Sequence, residues 1–365
     1  MNFDIQLRFQ PSTSFVGVLA ELNEHFSDWT DGSYDWANQT VDFLSTPRPL
    51  PSFDEKLFQT PLSQRAINDL LQMAIALLSG NYPAVRDYLK GIHYAFVIGY
   101  PRTGGSYLTK ELLRTCGLDH TRVSEALAHD GFPELRDTWY DWAGDRPYYH
   151  LQEAIFQTAE FLVISSLYFK RKTQPQLDGR WLAPKKMHKM VDWASSFKML
   201  LGQGRADYLV TLRHPVPTCI SIYEKSGGLP ANGLFPAAQP RSAIERWILT
   251  DLMHLGYRME QLVTMDYFRA MLVSWTNFYT KLATSGLFLG DRNEITLVPY
   301  GKEAVENVVR TYRQAAGNDS PPEPFHIHSK AQKHPDWLEP GDNAVETLVK
   351  LWAELGLTLP VLSYE

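Results

Sequence analysis

The stretch Tyr94-Ala-Phe-Val-Ile-Gly-Tyr-Pro-Arg-Thr-Gly-Gly-Ser106 joins a short apolar run to a glycine-rich turn. Tyr94 to Ile98 has the length and character of a buried strand, and the residues after the turn place Leu108, Leu112 and Cys116 on one helical face. A strand, a glycine-rich turn and a helix N-terminus form an anion site, because backbone N–H groups and the helix dipole both favour negative charge there. The sequence therefore predicts a P-loop-like phosphate-binding turn.

The turn differs from a nucleoside-triphosphate P-loop at one position. Gly99 and Gly104 form the frame G-x-x-x-x-G, and Ser106 stands where that motif has Ser or Thr. Gly105 occupies the position of the lysine that reaches the β- and γ-phosphates. We therefore expect a phosphate at this turn, but not a triphosphate.

Composition limits the class of protein. The 365 residues are 44% hydrophobic and 21% charged, as in a soluble globular protein with one large core. The net charge of -6 argues against a nucleic-acid partner, which requires a basic surface. With Cys116 and Cys219 as its only cysteines, no signal peptide and no run of about 18 apolar residues, the chain is expected to be cytoplasmic and not membrane-bound.

The chain divides into a helical N-terminal extension and an α/β domain. Residues 1–90 lack strand alternation and contain a helical stretch from Leu62 to Leu78, closed by Gly80. Residues 91–365 are expected to form the α/β domain. Three further apolar runs in it predict strands, Trp181 to Met187, Tyr208 to Leu212 and Ile295 to Pro299.

Helices are predicted at about 243–264, 268–286 and 302–316, alternating with or following these strands. This order favours an α/β three-layer sandwich with a central, mostly parallel sheet. In such sheets ligands bind beyond the carboxyl ends of the strands.

A second candidate anion site follows the strand Tyr208 to Leu212. Arg213 stands at its carboxyl end, and Ser221 lies eight residues further on, inside the next predicted helix. A guanidinium and a hydroxyl can converge on one phosphate, the first as a charged bidentate donor and the second as a neutral one. An arginine and a serine at this spacing are common by chance, so the pair supports a phosphate site only in combination with the other motifs.

A third element is Pro184-Lys-Lys-Met-His-Lys189. If a strand ends here, Lys186 and His188 alternate onto one face of it. A cation beside an imidazole suits group transfer, because the lysine stabilises charge and the histidine removes a proton from an attacking hydroxyl. A solvated, lysine-rich sheet edge is the alternative reading.

Together these motifs resemble the sulfotransferases that use 3′-phosphoadenosine 5′-phosphosulfate (PAPS), in the family's own order. Pro101 to Tyr107 is similar to their 5′-phosphosulfate loop, Arg213 to Ser221 to their 3′-phosphate motif, and Lys186-Met-His188 to the Lys-Thr-His of the cytosolic branch. The strong similarity covers roughly residues 92–225 and suggests a bacterial-type member. Gly105, Tyr107 and Met187 depart from the family's usual Thr, Trp and Thr.

The resemblance implies PAPS as the sulfuryl donor, adenosine 3′,5′-bisphosphate (PAP) as the product, and no metal. Residues at the turn would hold the 5′ end of the donor, namely Arg102, Thr103, Gly104, Gly105, Ser106 and Tyr107. Arg213 and Ser221 would hold the 3′-phosphate. His188 would be the base, and Lys186 and Arg102 would stabilise charge on the transferring group and the departing oxygen.

Two assignments stay open. Glu125 is a rival base, since bacterial members often place a carboxylate in this region, but it also reads as a helix-start carboxylate. Lys330 lies in a stretch that faintly resembles the family's basic loop over the 3′-phosphate, and a solvated loop is the alternative. The aromatic segment 132–149 and the region 226–240 favour a small, apolar hydroxyl or amine acceptor.

Two other functions remain as alternatives. A P-loop kinase or nucleotide hydrolase fits the turn, but lacks the lysine and an evident Mg²⁺-binding aspartate. A non-catalytic protein of the same fold would bind the nucleotide and transfer nothing.

Overall fold

A computed structural model of the chain describes residues 11–23, 55–129, 147–318, 320–327 and 333–364. The fold is α/β with one four-stranded, all-parallel sheet flanked by helices, as the sequence predicted. The strands are β1 (Ile92–Gly99), β2 (Trp181–Lys186), β3 (Ala206–Leu212) and β4 (Ile295–Pro299). Their order across the sheet is β2-β1-β3-β4.

The central strand β1 is buried along its whole length. It pairs in parallel with β2 on one side and β3 on the other, so that Val97 lies opposite Lys186 and Gly99 opposite Thr211. A strand covered on both faces reads as a continuous apolar run rather than an alternating one, which is what Tyr94 to Ile98 shows. All four strands point the same way, so their carboxyl ends lie at one edge of the sheet.

Helices connect the strands and cover the sheet. Between β1 and β2 lie α5 (Gly105–Thr115), α6 (Glu125–Ala128) and α7 (Pro147–Lys172). A 3-10 helix (His188–Trp193) and α8 (Ala194–Leu201) lead to β3. The remaining helices are α9 (Pro215–Lys225), α10 (Ala243–His254), α11 (Met259–Leu262), α12 (Tyr267–Thr284), α13 (Lys302–Ala315), a 3-10 helix (Pro335–Trp337) and α14 (Leu338–Glu354).

The described part of the first 90 residues is helical, with α1 (Thr13–Leu22), α2 (Glu55–Gln59), α3 (Pro61–Leu78) and α4 (Tyr82–Tyr88). Thr60 caps α3 by accepting a hydrogen bond from the Ser63 N–H, and Gly80 follows with φ 68°. α1 and α3 pack against α7, and their buried side chains belong to the same apolar cluster as Tyr94 and Phe96 of the sheet. The division of the chain at residue 90 stays a prediction.

Two details differ from the sequence-based expectation. The helix predicted over 243–264 is two helices, α10 and α11, because Gly256 adopts φ 88° and ends the first. The strand predicted to reach Met187 ends at Lys186, and His188 begins a 3-10 helix. Within the described ranges, no helix has the length and apolar character needed to cross a membrane.

Candidate anion-binding site at the carboxyl edge of the sheet

The turn after β1 is held tightly against β3. The Thr103 hydroxyl lies 2.6 Å from the Tyr100 carbonyl and 2.7 Å from the Thr211 hydroxyl. A Cβ on Gly99 would lie 1.9 Å from the Thr211 Oγ1, so only glycine fits at this close approach. Arg102 has φ 71°, a left-handed conformation that is uncommon for a side chain other than glycine. The turn is therefore a specific local structure that also orients the Arg102 side chain.

Helix α5 begins at the end of this turn. Gly104 precedes it with φ 95° and supplies no side-chain cap to the first turn of the helix. Gly105 is buried and Ser106 is exposed. The helix N-terminus and its first N–H groups lie at the carboxyl edge of the sheet, where an anion is favoured.

The second motif meets the first at this edge. Arg213 follows β3 directly and is only 3% exposed. Its Nη1 donates to the Arg102 carbonyl at 3.1 Å, and its guanidinium lies 3.8 Å from the centre of the Tyr300 ring. Ser221, inside α9, accepts a hydrogen bond of 2.9 Å from the Arg102 Nε. Two motifs that are 119 residues apart in sequence are thus joined by a direct side-chain contact.

The two arginines make this edge electropositive. Burial lowers the pKa of Arg213 to about 10, and the nearby charge of Arg102 acts in the same direction. Tyr300 partly offsets this shift. A guanidinium with such a pKa is still charged at neutral pH, so the site holds a cation whose charged form burial disfavours.

The third motif, Lys186-Met-His188, begins at the end of β2 and lies at the same edge of the sheet. The Lys186 Cε lies 3.7 Å from the position that a Cβ on Gly105 would occupy, so the lysine side chain runs beside the start of α5. His188 is buried, with its ring centre 5.8 Å from that of Trp247. The strand ends at Lys186 and Met187 turns the chain into a 3-10 helix, so strand alternation does not determine how Lys186 and His188 lie relative to each other.

The structure adds residues that the sequence motifs did not identify. His129 lies with its Nε2 3.2 Å from the Lys186 Nζ, and its ring centre is 6.4 Å from that of His188. Tyr300 follows β4 and contacts Arg213. The position of Tyr300 just after a predicted strand was a usable signal, whereas His129 has no motif and is 57 residues from Lys186.

Tyr107 contacts the segment that follows α13. Its ring centre lies 4.8 Å from that of Phe325, and its hydroxyl donates to the Glu323 carbonyl. The Glu323 carboxylate pairs with Lys110 and Arg114, and these hydrogen bonds hold the pKa of Glu323 at about 2. Phe325 and Tyr300 also lie near Gly104, so aromatic rings border the turn.

Some predicted residues fall outside the described part. Glu125 begins α6, but its side chain is not among those described. Lys330 and most of the aromatic segment, residues 130–146, also lie outside the described ranges. Where side chains are described, no group of three or more His, Cys, Asp or Glu is placed to hold a metal ion.

No protein-family model and no curated protein sequence matches this chain. Function is therefore inferred from the geometry of the site, which offers two arginines, a lysine, a serine hydroxyl and a helix N-terminus to anionic groups.

Proposed function

We propose that the chain is a sulfotransferase that moves a sulfuryl group from PAPS to a hydroxyl or amine of a small, apolar acceptor. The observation that supports this most is the Arg102–Ser221 hydrogen bond of 2.9 Å, together with the Arg213 contact to the Arg102 carbonyl. These contacts bring the two motifs that resemble the 5′- and 3′-phosphate sites of one nucleotide to the same edge of the sheet.

In this proposal the turn and the start of α5 bind the 5′-phosphosulfate, and Arg213 with Ser221 binds the 3′-phosphate. His188 takes the proton of the acceptor hydroxyl as the new O–S bond forms. The S–O bond to the 5′-phosphate breaks, and its electron pair leaves on the phosphate oxygen of PAP. Arg102 and Lys186 stabilise the negative charge on that oxygen and on the sulfuryl group by electrostatics alone.

The position of Lys186 also supports a monoester over a triphosphate. A P-loop lysine extends from the first turn of its helix along the phosphate chain. Here that position is Gly105, and the Lys186 side chain from β2 runs beside it. The cation therefore approaches from the sheet rather than from the loop, which suits a compact group at the helix N-terminus.

The first experiment compares ligands by thermal denaturation. PAP at 100 times its dissociation constant stabilises the folded protein by about 2.7 kcal/mol, and ATP with Mg²⁺ is expected to stabilise it much less. Stabilisation by ATP but not by PAP would contradict the proposal and favour a kinase.

The second experiment separates binding from chemistry. His188→Ala is expected to bind PAP normally and to lose transfer of label from PAPS, whereas Arg213→Ala loses both. His326→Ala, at an exposed position, is the matched control. Binding without transfer by the wild type, tested against a metabolite extract, would favour the non-catalytic protein. Full activity of His188→Ala would transfer the base role to Glu125.

A further inference from the structure

Two consecutive lysines at the end of β2, Lys185 and Lys186, contact different groups. Lys185 is 1% exposed, and its Nζ donates to the carbonyls of Ala126 and His129 at 2.8 and 2.6 Å. The same ammonium lies 4.9 Å from the centre of the Phe161 ring. A buried cation is tolerated when carbonyl oxygens satisfy its protons, and the last carbonyls of a helix such as α6 accept no hydrogen bond within the helix itself.

Lys185 thereby anchors the backbone that carries His129. The carbonyl of His129 is one of its two described acceptors, so the position of this residue is fixed relative to β2. The imidazole of His129 then lies beside the next lysine, with 3.2 Å between its Nε2 and the Lys186 Nζ. Neighbouring residues of one strand thus hold the backbone and the side chain of the same histidine.

The chemistry of the contact between Lys186 and His129 determines which group donates the hydrogen bond. An ammonium has three protons and no lone pair, so Lys186 donates and the Nε2 of His129 accepts. In a neutral imidazole the remaining proton is then on Nδ1. The contact therefore selects one tautomer of His129.

An imidazole acceptor differs from a carboxylate in one respect that matters here. Both restrict the lysine side chain, but a carboxylate at the same place would also neutralise much of its charge. A neutral imidazole orients the ammonium and brings no negative charge to it. Such an arrangement suits a lysine that must meet a negatively charged group beside Gly105.

We propose that His129 is a positioning residue that holds the Lys186 ammonium beside the start of α5 without neutralising it, and that Lys185 fixes His129 for this task. The inference rests on the proposed function for its catalytic consequence. Lys186 interacts with the transferring sulfuryl group, and His129 acts only through Lys186.

An isosteric pair of variants tests the role of charge. The side-chain oxygens of Gln and Glu both reach the position of the His129 Nε2, but only that of Glu is charged. We expect His129→Gln to keep kcat within about threefold, whereas His129→Glu lowers kcat about thirtyfold, and His129→Ala about tenfold, with smaller changes in KM for PAPS. A purely structural role would make Gln and Glu equally harmful, and that result would overturn the inference.

A second measurement does not depend on activity. Long-range ¹H–¹⁵N NMR spectra of the protein labelled in histidine report which ring nitrogen carries the proton. We expect His129 of the wild type to carry it on Nδ1, and Lys186→Met to lose this preference while the His93 signal is unchanged. A proton on Nε2 in the wild type would overturn the inference.

The two measurements also separate this inference from the proposed function. If the wild type binds no PAP and transfers no sulfuryl group, the proposed function fails, and the tautomer alone decides whether His129 orients Lys186. If the wild type is active and the tautomer is Nε2–H, the proposed function stands and the role of His129 fails.

Discussion

Arg213 and Arg313 are both buried, with 3% and 6% of their surfaces exposed, but their charges are compensated differently. The Arg313 Nη2 lies 2.7 Å from a carboxylate oxygen of Glu111, which is itself fully buried. Arg213 stacks on Tyr300 and donates to the Arg102 carbonyl, and burial lowers its pKa to about 10. The first arginine forms an ion pair with a carboxylate, and burial disfavours the charge of the second.

The two buried arginines therefore affect the stability of the fold differently. Arg313 connects α13 to α5 and donates to carbonyls of the segment after α13, so its charge stabilises the scaffold behind the turn. The lowered pKa of Arg213 corresponds to about 3 kcal/mol disfavouring its charged form in the folded protein. On the proposed function, a nucleotide phosphate recovers this cost when it binds.

The largest expected effect is on the scaffold arginine. Arg313→Met leaves the buried Glu111 carboxylate without this partner, which costs about 3 kcal/mol or more of the free energy of unfolding. Urea denaturation with an unchanged m-value measures the loss. Arg213→Met is the control, and we expect it to lose less stability than Arg313→Met, because burial already disfavours the Arg213 charge. Equal destabilisation by the two variants would remove the distinction between the arginines.

For the affinity for PAP, we expect the substitution of Arg213 to have a larger effect than the substitution of Arg313. Arg213→Met is expected to weaken PAP binding about a hundredfold, because a charge-assisted contact with a phosphate contributes about 1.5–3 kcal/mol. Isothermal titration calorimetry measures the dissociation constant, with Arg313→Lys as a comparison at the scaffold position. Unchanged affinity in Arg213→Met would exclude Arg213 from the anion site.

A smaller effect is expected at Ser221, the neutral member of the site. Ser221→Ala removes one neutral donor, and a net contribution of about 1 kcal/mol corresponds to about fivefold weaker PAP binding. Ser226→Ala, whose hydroxyl lies 2.7 Å from that of Ser242, should leave the affinity unchanged. Equal losses in both variants would indicate a general effect on α9 rather than a phosphate contact.

The smallest expected effect is on the pH dependence of stability, and it arises from His214, the residue after Arg213. Burial lowers the pKa of His214, and Asp342 only partly opposes this. Below about pH 6.5 the unfolded chain therefore binds more protons than the folded one, and stability falls as the pH falls through this range. His214→Gln should lose part of this acid sensitivity, measured by urea denaturation at several pH values. The exposed His326→Gln should retain it, and an identical pH profile for both variants would contradict the assignment.

Much of the fold was predictable because its signals are local. Ile295 to Pro299 is a strand with the predicted bounds, and Leu62 to Leu78 is helical and followed by a left-handed Gly80. The break in the helix over 243–264 was missed, because a single glycine at 256 does not reveal from sequence alone whether it adopts a positive φ. The local residue pattern thus predicts that a helix or strand exists more accurately than it predicts the residues at which it begins and ends.

The candidate site was predictable only in its parts. The sequence motifs identified Arg102, Arg213 and Ser221, and the direction of parallel strands placed them at one edge of the sheet. The relation between Lys186 and His188 was not predictable, because it depends on the backbone at Met187, where the strand ends. His129 was missed because no residue pattern near it indicates a partner 57 residues away.

The amino-acid sequence by itself determined the apolar runs that form a parallel sheet, the glycine-rich turn and the arginine that follows β3. Only the tertiary structure decided that Arg102 contacts Ser221, that His129 contacts Lys186, and that Arg313 rather than Arg213 pairs with Glu111. The reason is physical: strand and helix patterns depend on residues a few positions apart, whereas the partner of a buried charge depends on how distant elements pack together.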